Sequence, residues 1–436
     1  MPTRHLLLGT ATVLIGICAL ALPAGAATEA LGSTAAVPVL TLKEALRRTL
    51  DSNPDLAAAA DERRAAAAER RQAGRRPNPE LGVSLENAFG SGPYQESDAG
   101  ELTIELSTPI ELGGKRRLRQ EAANLALDLA ATAQTETLAA TLAATRQRYL
   151  ALLAAQEQLQ LAREQEQAAN QTLRAAEERI SAGKAPRIDR LRLQGAASIA
   201  TLAVTREERA LELARQALAA TWDASSADFG RVEGDLATLP ELPELATLEE
   251  LLEQTPVAAR ARLNTAQSRN QLAQARAGRL PDPSVTVGWR QFEESNDHAL
   301  VLGVALPLPL FNPGQDAVAI TASRLQATLA RARSARNQAQ LELRSAWQAL
   351  AGARAEADLF QEKIVPDAAE SFAAADFGYR AGKFGLIELL DAQRTLFEAR
   401  QRHLAAALAC HLAASEVERL LASDLPSPPS TQPSLP

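Results

Sequence analysis

Apolar and polar residues alternate along four short segments, which occur in two pairs. The alternation is Leu-Gly-Val-Ser-Leu-Glu over 81–86 and Leu-Thr-Ile-Glu-Leu-Ser over 102–107, and it recurs over 285–290 and 300–306. Alternation with a period of two and one apolar face is the pattern of a β-strand. We therefore predict strands over 80–89, 101–110, 283–292 and 299–308.

Helical spacing dominates the rest of the chain. No proline occurs between Pro109 and Pro186, and leucines recur three, four and seven residues apart from Leu118 onward. A helix from Lys115 to Ala182 would be roughly 100 Å long at 1.5 Å per residue. A shorter helix is predicted before each strand pair, from Leu42 to about Arg71 and from Leu248 to about Arg276.

The chain contains two copies of this arrangement. AGRRPNP at 73–79 returns as AGRLPDP at 277–283, and AGK at 182–184 returns at 381–383. Upstream, TLKEALRRTLDSNP at 41–54 resembles TLEELLEQTP at 247–256. We assign 41–222 to the first repeat and 247–424 to the second, with 223–246 as a linker.

The two ends have a different character. Arg4 and His5, an apolar run from Leu6 to Leu22 and the small residues at 24–26 form the pattern of a signal peptide over 1–26. An uncleaved anchor is the alternative. Residues 27–40 form an N-terminal segment, and the proline-rich residues 425–436 are predicted to be a disordered tail. Cys18 follows Ile17 where a lipidation signal needs a small residue, so lipidation is not expected.

Composition narrows the class of protein. The chain is only 3% aromatic, its formal net charge is −7, and it is rich in Ala, Leu, Gln, Glu and Arg. This composition resembles that of long helices more than that of a thick globular core. Since there is no basic footprint, we expect no nucleic-acid partner. After residue 26 no apolar run reaches 18 residues, so no helical membrane span is predicted.

No pattern predicts an enzyme, a cofactor or a metal centre. G-x-S-x-G and H-E-x-x-H are absent, and Gly113-Gly114-Lys115 lacks the spacing of a phosphate loop. His403, Cys410 and His411 lie on one predicted helix, but zinc and copper sites need three or four converging ligands. We predict no bound metal and no catalysis.

The predicted strands require more than one copy of the chain. Each strand is about ten residues long, enough to cross a bilayer at a tilt, with an apolar face for lipid and a polar face for a lumen. Four strands cannot close, and open edges in lipid leave backbone groups without hydrogen bonds. Two copies would supply eight strands and three would supply twelve. Two ordinary hairpins of a soluble domain are the alternative.

Three segments carry a resemblance to the TolC-like outer membrane efflux family. They are LTLKEALRRTLDSNPDL at 40–56, RRPNPELGVSLEN at 75–87 and YRAGKFGLIELLDAQRTLFEAR at 379–400. The segments STPIELGGKRRLR at 107–119 and KIVPDAAESF at 363–372 resemble the branch that serves cobalt–zinc–cadmium pumps. The resemblance extends from about residue 40 to residue 422.

The resemblance implies a fold class that is mainly α with a small β part. It implies a homotrimer in outer membrane lipid, whose four strands per chain close as a 12-stranded barrel above a long α-helical coiled-coil barrel. The implied partners are a periplasmic adaptor and an inner-membrane pump of the RND type, and no cofactor is implied.

Two glycines mark candidate docking tips. Gly183 and Gly382 each lie between long predicted helices, and glycine readily adopts the left-handed conformation that ends a helix. The resemblance implies that these turns are the periplasmic tips gripped by the adaptor.

Acidic residues beyond these turns are candidates for the periplasmic aperture. Asp189 aligns with Glu388 across the repeat, and Asp391 lies one helical turn further on. A ring of such charges would favour cations in a narrow opening. The resemblance implies that Tyr379 bonds Asp189. Phe384 stands where the family usually has a reinforcing basic residue, and Arg192 is a further candidate to neutralise Asp391. A solvated charged helix face is the alternative.

The function predicted from these features is passive export through the channel component of a tripartite efflux pump, with heavy-metal cations as the expected substrate. Drug efflux and type I protein secretion are alternatives within the same class. A periplasmic coiled-coil adaptor or structural protein is the alternative from another class.

Overall fold

A computed structural model describes residues 39–95 and 98–422 of the 436-residue chain. The signal peptide and the disordered tail, both of them predictions, and most of the 27–40 segment lie outside these residues. Within them, no helix has both the length and the apolar character needed to cross a membrane.

Helices and strands follow the same order in both halves. The first half comprises β1 Val39–Leu40, α1 Leu42–Ser52, α2 Pro54–Ala73, β2 Glu80–Glu86, β3 Glu101–Pro109, α3 Lys115–Ser181 and α4 Arg187–Ala219. The second comprises β4 Arg231–Val232, α5 Leu245–Leu251, α6 Pro256–Ala277, β5 Ser284–Phe292, β6 Asp297–Ala305, α7 Gln315–Leu359, α8 Val365–Arg380 and α9 Leu386–Leu421.

The single helix predicted at the start of each repeat is wrong, because a proline divides it. In the first repeat Asn53 is extended, and its side-chain oxygen accepts from the N–H of Asp55 at 2.9 Å and of Leu56 at 3.1 Å. In the second repeat the Thr255 hydroxyl accepts from the N–H of Ala258 at 3.4 Å. Proline disfavours helical geometry in the residue before it and is well suited to the first turn of a new helix.

Pro366 has a different effect on the longest helical stretch of the second repeat. A π-helical turn at Phe360–Ile364 joins α7 to α8, and Pro366 lies in the first turn of α8. Because proline has no N–H, the ordinary helical hydrogen bond at this point cannot form. The wider turn lets the chain continue in helical form, whereas α3 runs without interruption for 67 residues.

The four main strands form one antiparallel sheet in the order β2-β3-β5-β6. The register pairs Val83 with Ile104, Ile104 with Trp289, and Trp289 with Leu300, so apolar positions align across the whole sheet. Strand β2 ends at residue 86 rather than 89, since Asn87 and Phe89 have positive φ angles of 56° and 59°. Strand β6 spans 297–305 rather than 299–308.

The two faces of this sheet differ sharply. Leu81, Leu302 and Val304 are 70%, 70% and 75% exposed on the apolar face. On the opposite face Arg290 bonds Glu101 and Thr103, both at 2.9 Å, and lies 3.5 Å from Glu86. Strands β2 and β6 form the edges and have no neighbour on their outer sides. The chain therefore exposes an apolar sheet face and two unpaired edges.

Helices continue from the sheet in the same lateral order as its strands. Helix α2 contacts α3, α3 contacts α6, and α6 contacts α7, which gives a four-helix wall below the four strands. Further from the sheet, α3 packs with α4 and α9, and α9 packs with α8 and α7.

The segment between the repeats is packed against the middle of the helices. Phe229, Val232 and Leu236 are buried in one core with Tyr149 and Trp222. Strand β4 pairs in parallel with β1, and the Tyr149 hydroxyl lies 3.0 Å from the Leu40 carbonyl oxygen and 2.5 Å from that of Glu233. These contacts fix the start of the first repeat and the linker to α3.

Candidate functional site at the helical tips

The two helical turns that carry the candidate glycines have the same geometry. Gly183 and Gly382 have φ angles of +71° and +72°. In each turn the N–H after the glycine bonds a carbonyl five residues back, Lys184 to Arg179 and Lys383 to Gly378, both at 2.8 Å. The glycine N–H bonds the carbonyl three residues back, at 3.0 Å in both turns. This is the Schellman helix end, which favours glycine because its φ is positive.

Four helices meet behind these turns in one small core. Its buried members come from both repeats and are Ala176 of α3, Leu193 of α4, Ala375 and Tyr379 of α8, and Leu386 and Leu389 of α9. The tip of the α3–α4 pair and the tip of the α8–α9 pair are therefore packed together within one chain.

Tyr379 is the most polar member of this core. It is 2% exposed, and the guanidinium of Arg179 lies over its ring, 4.5 Å from the centroid. The same guanidinium donates a hydrogen bond to the Tyr379 carbonyl oxygen. Burial raises the pKa of the Tyr379 hydroxyl; Arg179 lowers this pKa and Asp189 raises it.

The bond implied between Tyr379 and Asp189 is not formed. The Tyr379 hydroxyl is buried and has no hydrogen-bond partner among the residues that the structure describes. Asp189 lies in the first turn of α4, close enough to affect the tyrosine electrostatically. Arg179 contacts this tyrosine at its ring and at its backbone carbonyl, and not at its hydroxyl.

Two of the three acids predicted for the aperture lie at helix starts. Asp189 and Glu388 occupy equivalent first turns of α4 and α9, where the positive end of the helix dipole favours a carboxylate. Asp391 forms an ion pair with Arg394 of its own helix at 2.6 Å, and both side chains are exposed. Arg192 is thus not the ion-pair partner of Asp391 within this chain, contrary to the expectation.

Phe384 packs against a neighbouring helix and has no charge with which to replace the basic residue that the resemblance implies at this position. Its ring lies directly on Gly378, where an added Cβ would be 2.1 Å from a ring carbon. Sequence reasoning missed both Gly378 and Arg179. A glycine four residues before a helix-ending glycine is a weak signal for close packing, and nothing in the sequence distinguishes Arg179 from the other arginines.

His403 and His411 of α9 are half-buried, and Cys410 of the same helix is buried. Across 39–95 and 98–422, no group of three or more His, Cys, Asp or Glu side chains is arranged to hold a metal ion. Burial raises the pKa of the Cys410 thiol to about 11 and lowers the pKa of His403 and His411. The thiol is therefore neutral at ordinary pH, and thiols bind metals as thiolates.

The extent of the sequence match shows which family the chain belongs to. The profile of outer membrane efflux proteins matches residues 45–223 and 247–423, which are the two repeats. The chain belongs to the outer membrane efflux protein family. It is an outer membrane protein with a TolC-like fold, and its family is one of efflux proteins rather than of enzymes.

Similar proteins cover nearly the full length. The chain is 33% identical over 384 residues to the cobalt-zinc-cadmium resistance protein CzcC of Cupriavidus metallidurans, a match that covers 88% of this chain and 90% of that protein. A membrane protein from Pseudomonas aeruginosa matches with a TM-score of 0.77 at 21% identity, over 88% of this chain and 90% of its own. The outer membrane protein VceC of Vibrio cholerae matches with a TM-score of 0.73 at 19% identity, over 88% and 96%.

Replacing Gly378 with Ala should loosen the α8–α9 tip. The new methyl group would overlap the Phe384 ring, so the ring must leave its position. We expect faster cleavage of the tip by a protease in detergent-solubilised protein. The double variant G378A/F384A should cleave at the same rate as F384A alone, since the obstacle is gone. Equal cleavage of G378A and the wild type would show that the ring does not pack there.

Proposed function

We propose that three copies of this chain form a channel that carries heavy-metal cations out of the periplasm, as the outer membrane part of a tripartite efflux pump. The observation that carries the proposal is the four-stranded sheet, which exposes an apolar face and leaves both edges unpaired. Such a sheet is incomplete in a membrane and can be completed by other copies of itself.

The sheets of several copies are expected to close into a barrel because of the hydrogen bonds that their edges need in lipid. Each backbone N–H or C=O left unpaired in hydrocarbon costs several kcal/mol, so membrane sheets close into barrels. Strand β6 of one copy can pair antiparallel with β2 of the next, continuing the alternation of the sheet. Eight strands leave an interior just wide enough for side chains, whereas a larger barrel leaves an open lumen. Twelve strands from three copies therefore suit a conduit.

The helical wall extends this ring into a tunnel. Helices α2, α3, α6 and α7 lie side by side in the order of the strands that they join. Three copies would place twelve helices around one axis beneath the barrel. In this arrangement the chain provides a passive path, and the inner-membrane pump provides the energy.

Charge and similarity support a cationic substrate. The polar sheet face would line the lumen, and its Glu80 and Glu105 have no ion pair among the described residues. At the tips, Asp189 and Glu388 also have no ion pair among those residues. Acidic groups in a narrow water-filled passage concentrate cations. The similar protein CzcC is named for resistance to cobalt, zinc and cadmium.

Apolar side chains around the tips support docking of the adaptor there. Ile188, Phe377, Phe384 and Ile387 are all exposed close to Gly183 or Gly382. Neither glycine has another atom within 4 Å of the position that a Cβ would take, so both turns are open to a partner. Exposed apolar clusters with a polar surround are typical of protein interfaces.

Two neighbouring substitutions test whether the apolar face meets lipid. Leu302→Arg places a charge on the apolar face, at a cost of about 2–4 kcal/mol near the bilayer centre. Gly303→Arg places the same side chain on the polar face, where the Cβ has ordinary contact with Thr286. We expect L302R to lose most heat-modifiable trimer from the outer membrane fraction, while G303R keeps it. Normal trimer levels for L302R would indicate a soluble sheet.

Deletion of the chain should sensitise the cell to zinc, cobalt and cadmium. Growth is measured across a metal series, with copper and a drug panel in parallel. The wild-type gene should restore growth and the L302R variant should not. Sensitivity to drugs alone, with metal tolerance unchanged, would remove the metal assignment while leaving the channel intact.

A bulky residue at one tip should block docking without affecting assembly. Gly382→Trp projects into open space, although the φ of +72° adds backbone strain of about 1–3 kcal/mol. Gly92→Trp is the matched control, since Gly92 is equally open with φ of +63° in the hairpin between β2 and β3. We expect G382W to form normal trimers but lose metal resistance, and G92W to keep both. Full resistance in G382W would count against docking at this turn.

A further inference from the structure

A groove runs between helices α6 and α7, on the helical wall below the sheet. It has a volume of about 490 Å³, and its apolar walls are formed by Val257, Ala258 and Ala261 of α6 and by Leu329, Ala332 and Ala335 of α7. The groove follows α6 from Val257 to Arg269, about 18 Å at 1.5 Å per residue. Val257 and Ala335 are half-buried rather than buried, so the described residues leave this apolar surface uncovered.

Helix α9 ends beside this groove. Its last residue, Leu421, is buried in one core with Leu252, and Ala339 packs against the same core. Leu252 and Ala339 also line the groove. The chain therefore leaves its last described helix at the groove, at the end that lies furthest from the sheet.

The matching groove of the first repeat is more polar. It lies between α2 and α3, and Asn53 lines it as Thr255 lines the groove of the second repeat. Both residues stand directly before the proline that begins the helix. On its α3 side the first groove presents Gln134 and Thr135, whereas alanines line the α7 side of the second. The apolar surface thus belongs to the repeat whose last helix leads into residues 423–436.

The linker shows how a segment that follows the last helix of a repeat can be accommodated. After α4 the chain continues into residues 223–246, and Phe229, Val232 and Leu236 of this segment are buried against the helices. Residues 423–436 follow α9 at the corresponding point of the second repeat. The groove beside the end of α9 offers them a comparable surface.

Residues 423–436 have a composition that favours binding in an extended form. They read SDLPSPPSTQPSLP, with five prolines, two leucines and Asp424 as the only charge. Proline has no N–H and a fixed φ, so such a segment adds neither to a helix nor to a sheet, and ordering it costs less entropy. In extended form 14 residues would span about 43 Å at 3.1 Å per residue, which exceeds the length of the groove.

Arginines border the groove. The Glu253 carboxylate pairs with Arg336 at 2.6 Å, and the Glu253 carbonyl oxygen accepts from Arg262 at 3.0 Å. Arg269 and Arg333 also line the groove and have no ion pair among the described residues. Their charge suits a segment whose single charged side chain is acidic, and their aliphatic stems extend the apolar walls.

We propose that residues 423–436 lie in the groove between α6 and α7, with Leu425 and Leu435 against its apolar walls. The expectation of a disordered tail over 425–436 rests on composition alone, and the groove supplies the surface that such a segment lacks by itself. The docked segment covers the groove and fixes the end of α9 to the helical wall. Because the groove lies within one chain, the proposal does not depend on the number of copies in the channel.

The test measures how fast a maleimide reacts with a cysteine placed in the groove. Cys410 is buried and is the only native cysteine after residue 26, so the background reaction is slow. Ala258→Cys places a thiol in this groove, and Leu56→Cys is the matched control, since each position is the third of its helix and lines its own groove. Each variant is compared in detergent-purified full-length protein and in protein that ends at Ala422.

Removal of residues 423–436 should speed the labelling of A258C about tenfold, the change expected when a surface that is covered about nine-tenths of the time becomes free. The labelling rate of L56C should be the same with and without these residues.

A second pair of variants keeps the full length. Leu425→Ser together with Leu435→Ser removes the large apolar side chains of the segment, and should speed the labelling of A258C as the truncation does. Ser430→Ala together with Ser434→Ala changes as many positions but keeps both leucines, so labelling should stay slow. This pair separates binding of the leucines from simple crowding by a nearby segment.

Each contrary result overturns the proposal for a different reason. Equal labelling of A258C with and without residues 423–436 would show that the groove is open or is covered by something else. Faster labelling of both A258C and L56C after truncation would show a general loosening of the helical wall. Slow labelling of A258C in the double leucine variant would show that the leucines do not bind in the groove.

Discussion

The hydrogen bonds of the two outer strands are the constraint on which the structure depends. Within the chain β3 and β5 have a neighbour on each side, whereas β2 and β6 have one each. In water an open edge is tolerated, but in hydrocarbon every unpaired backbone group costs several kcal/mol. In the proposed channel this sheet lies in the outer membrane, where its edges would require further strands. The helices below the sheet lie side by side in the same order as the strands that they join. Further strands at the sheet edges would therefore bring further helices beside α2 and α7.

Much of this architecture can be predicted from the sequence because it rests on local periodicity. The alternation at 81–86 and 102–107 identifies strands, and the AGK repeats identify turns that the structure shows with positive φ at Gly183 and Gly382. The breaks before Pro54 and Pro256 were missed although the signal was present, since asparagine or threonine before proline is a helix start. The π-helical turn before Pro366 was not predictable, because the chain could equally have ended its helix there.

The contacts at the tips were beyond prediction for a different reason. Arg179 and Gly378 occupy equivalent positions of the two repeats, 199 residues apart, yet one is the largest cation and the other has no side chain. Gly378 accommodates the Phe384 ring, and Arg179 reaches the backbone of the opposite helix. Duplication preserves the backbone of both turns while each half acquires its own contacts. Residue identity alone does not show which of two equivalent positions faces its counterpart.

Arg290 and Arg179 have different kinds of partner at the two ends of the proposed channel. Arg290 contacts Glu101 and lies near Glu86, so it compensates acids on the polar sheet face. Arg179 donates to the backbone carbonyl of Tyr379 and forms no ion pair with Asp189 or Glu388 among the described residues. The acids near the hairpin end of the sheet are thus paired, whereas the acids at the tips share their turns with the exposed Lys184, Arg187 and Lys383. Fixed charges can concentrate ions at one end of a passive channel, but they do not set the direction of net transport. In the proposed assembly the direction therefore comes from the pump.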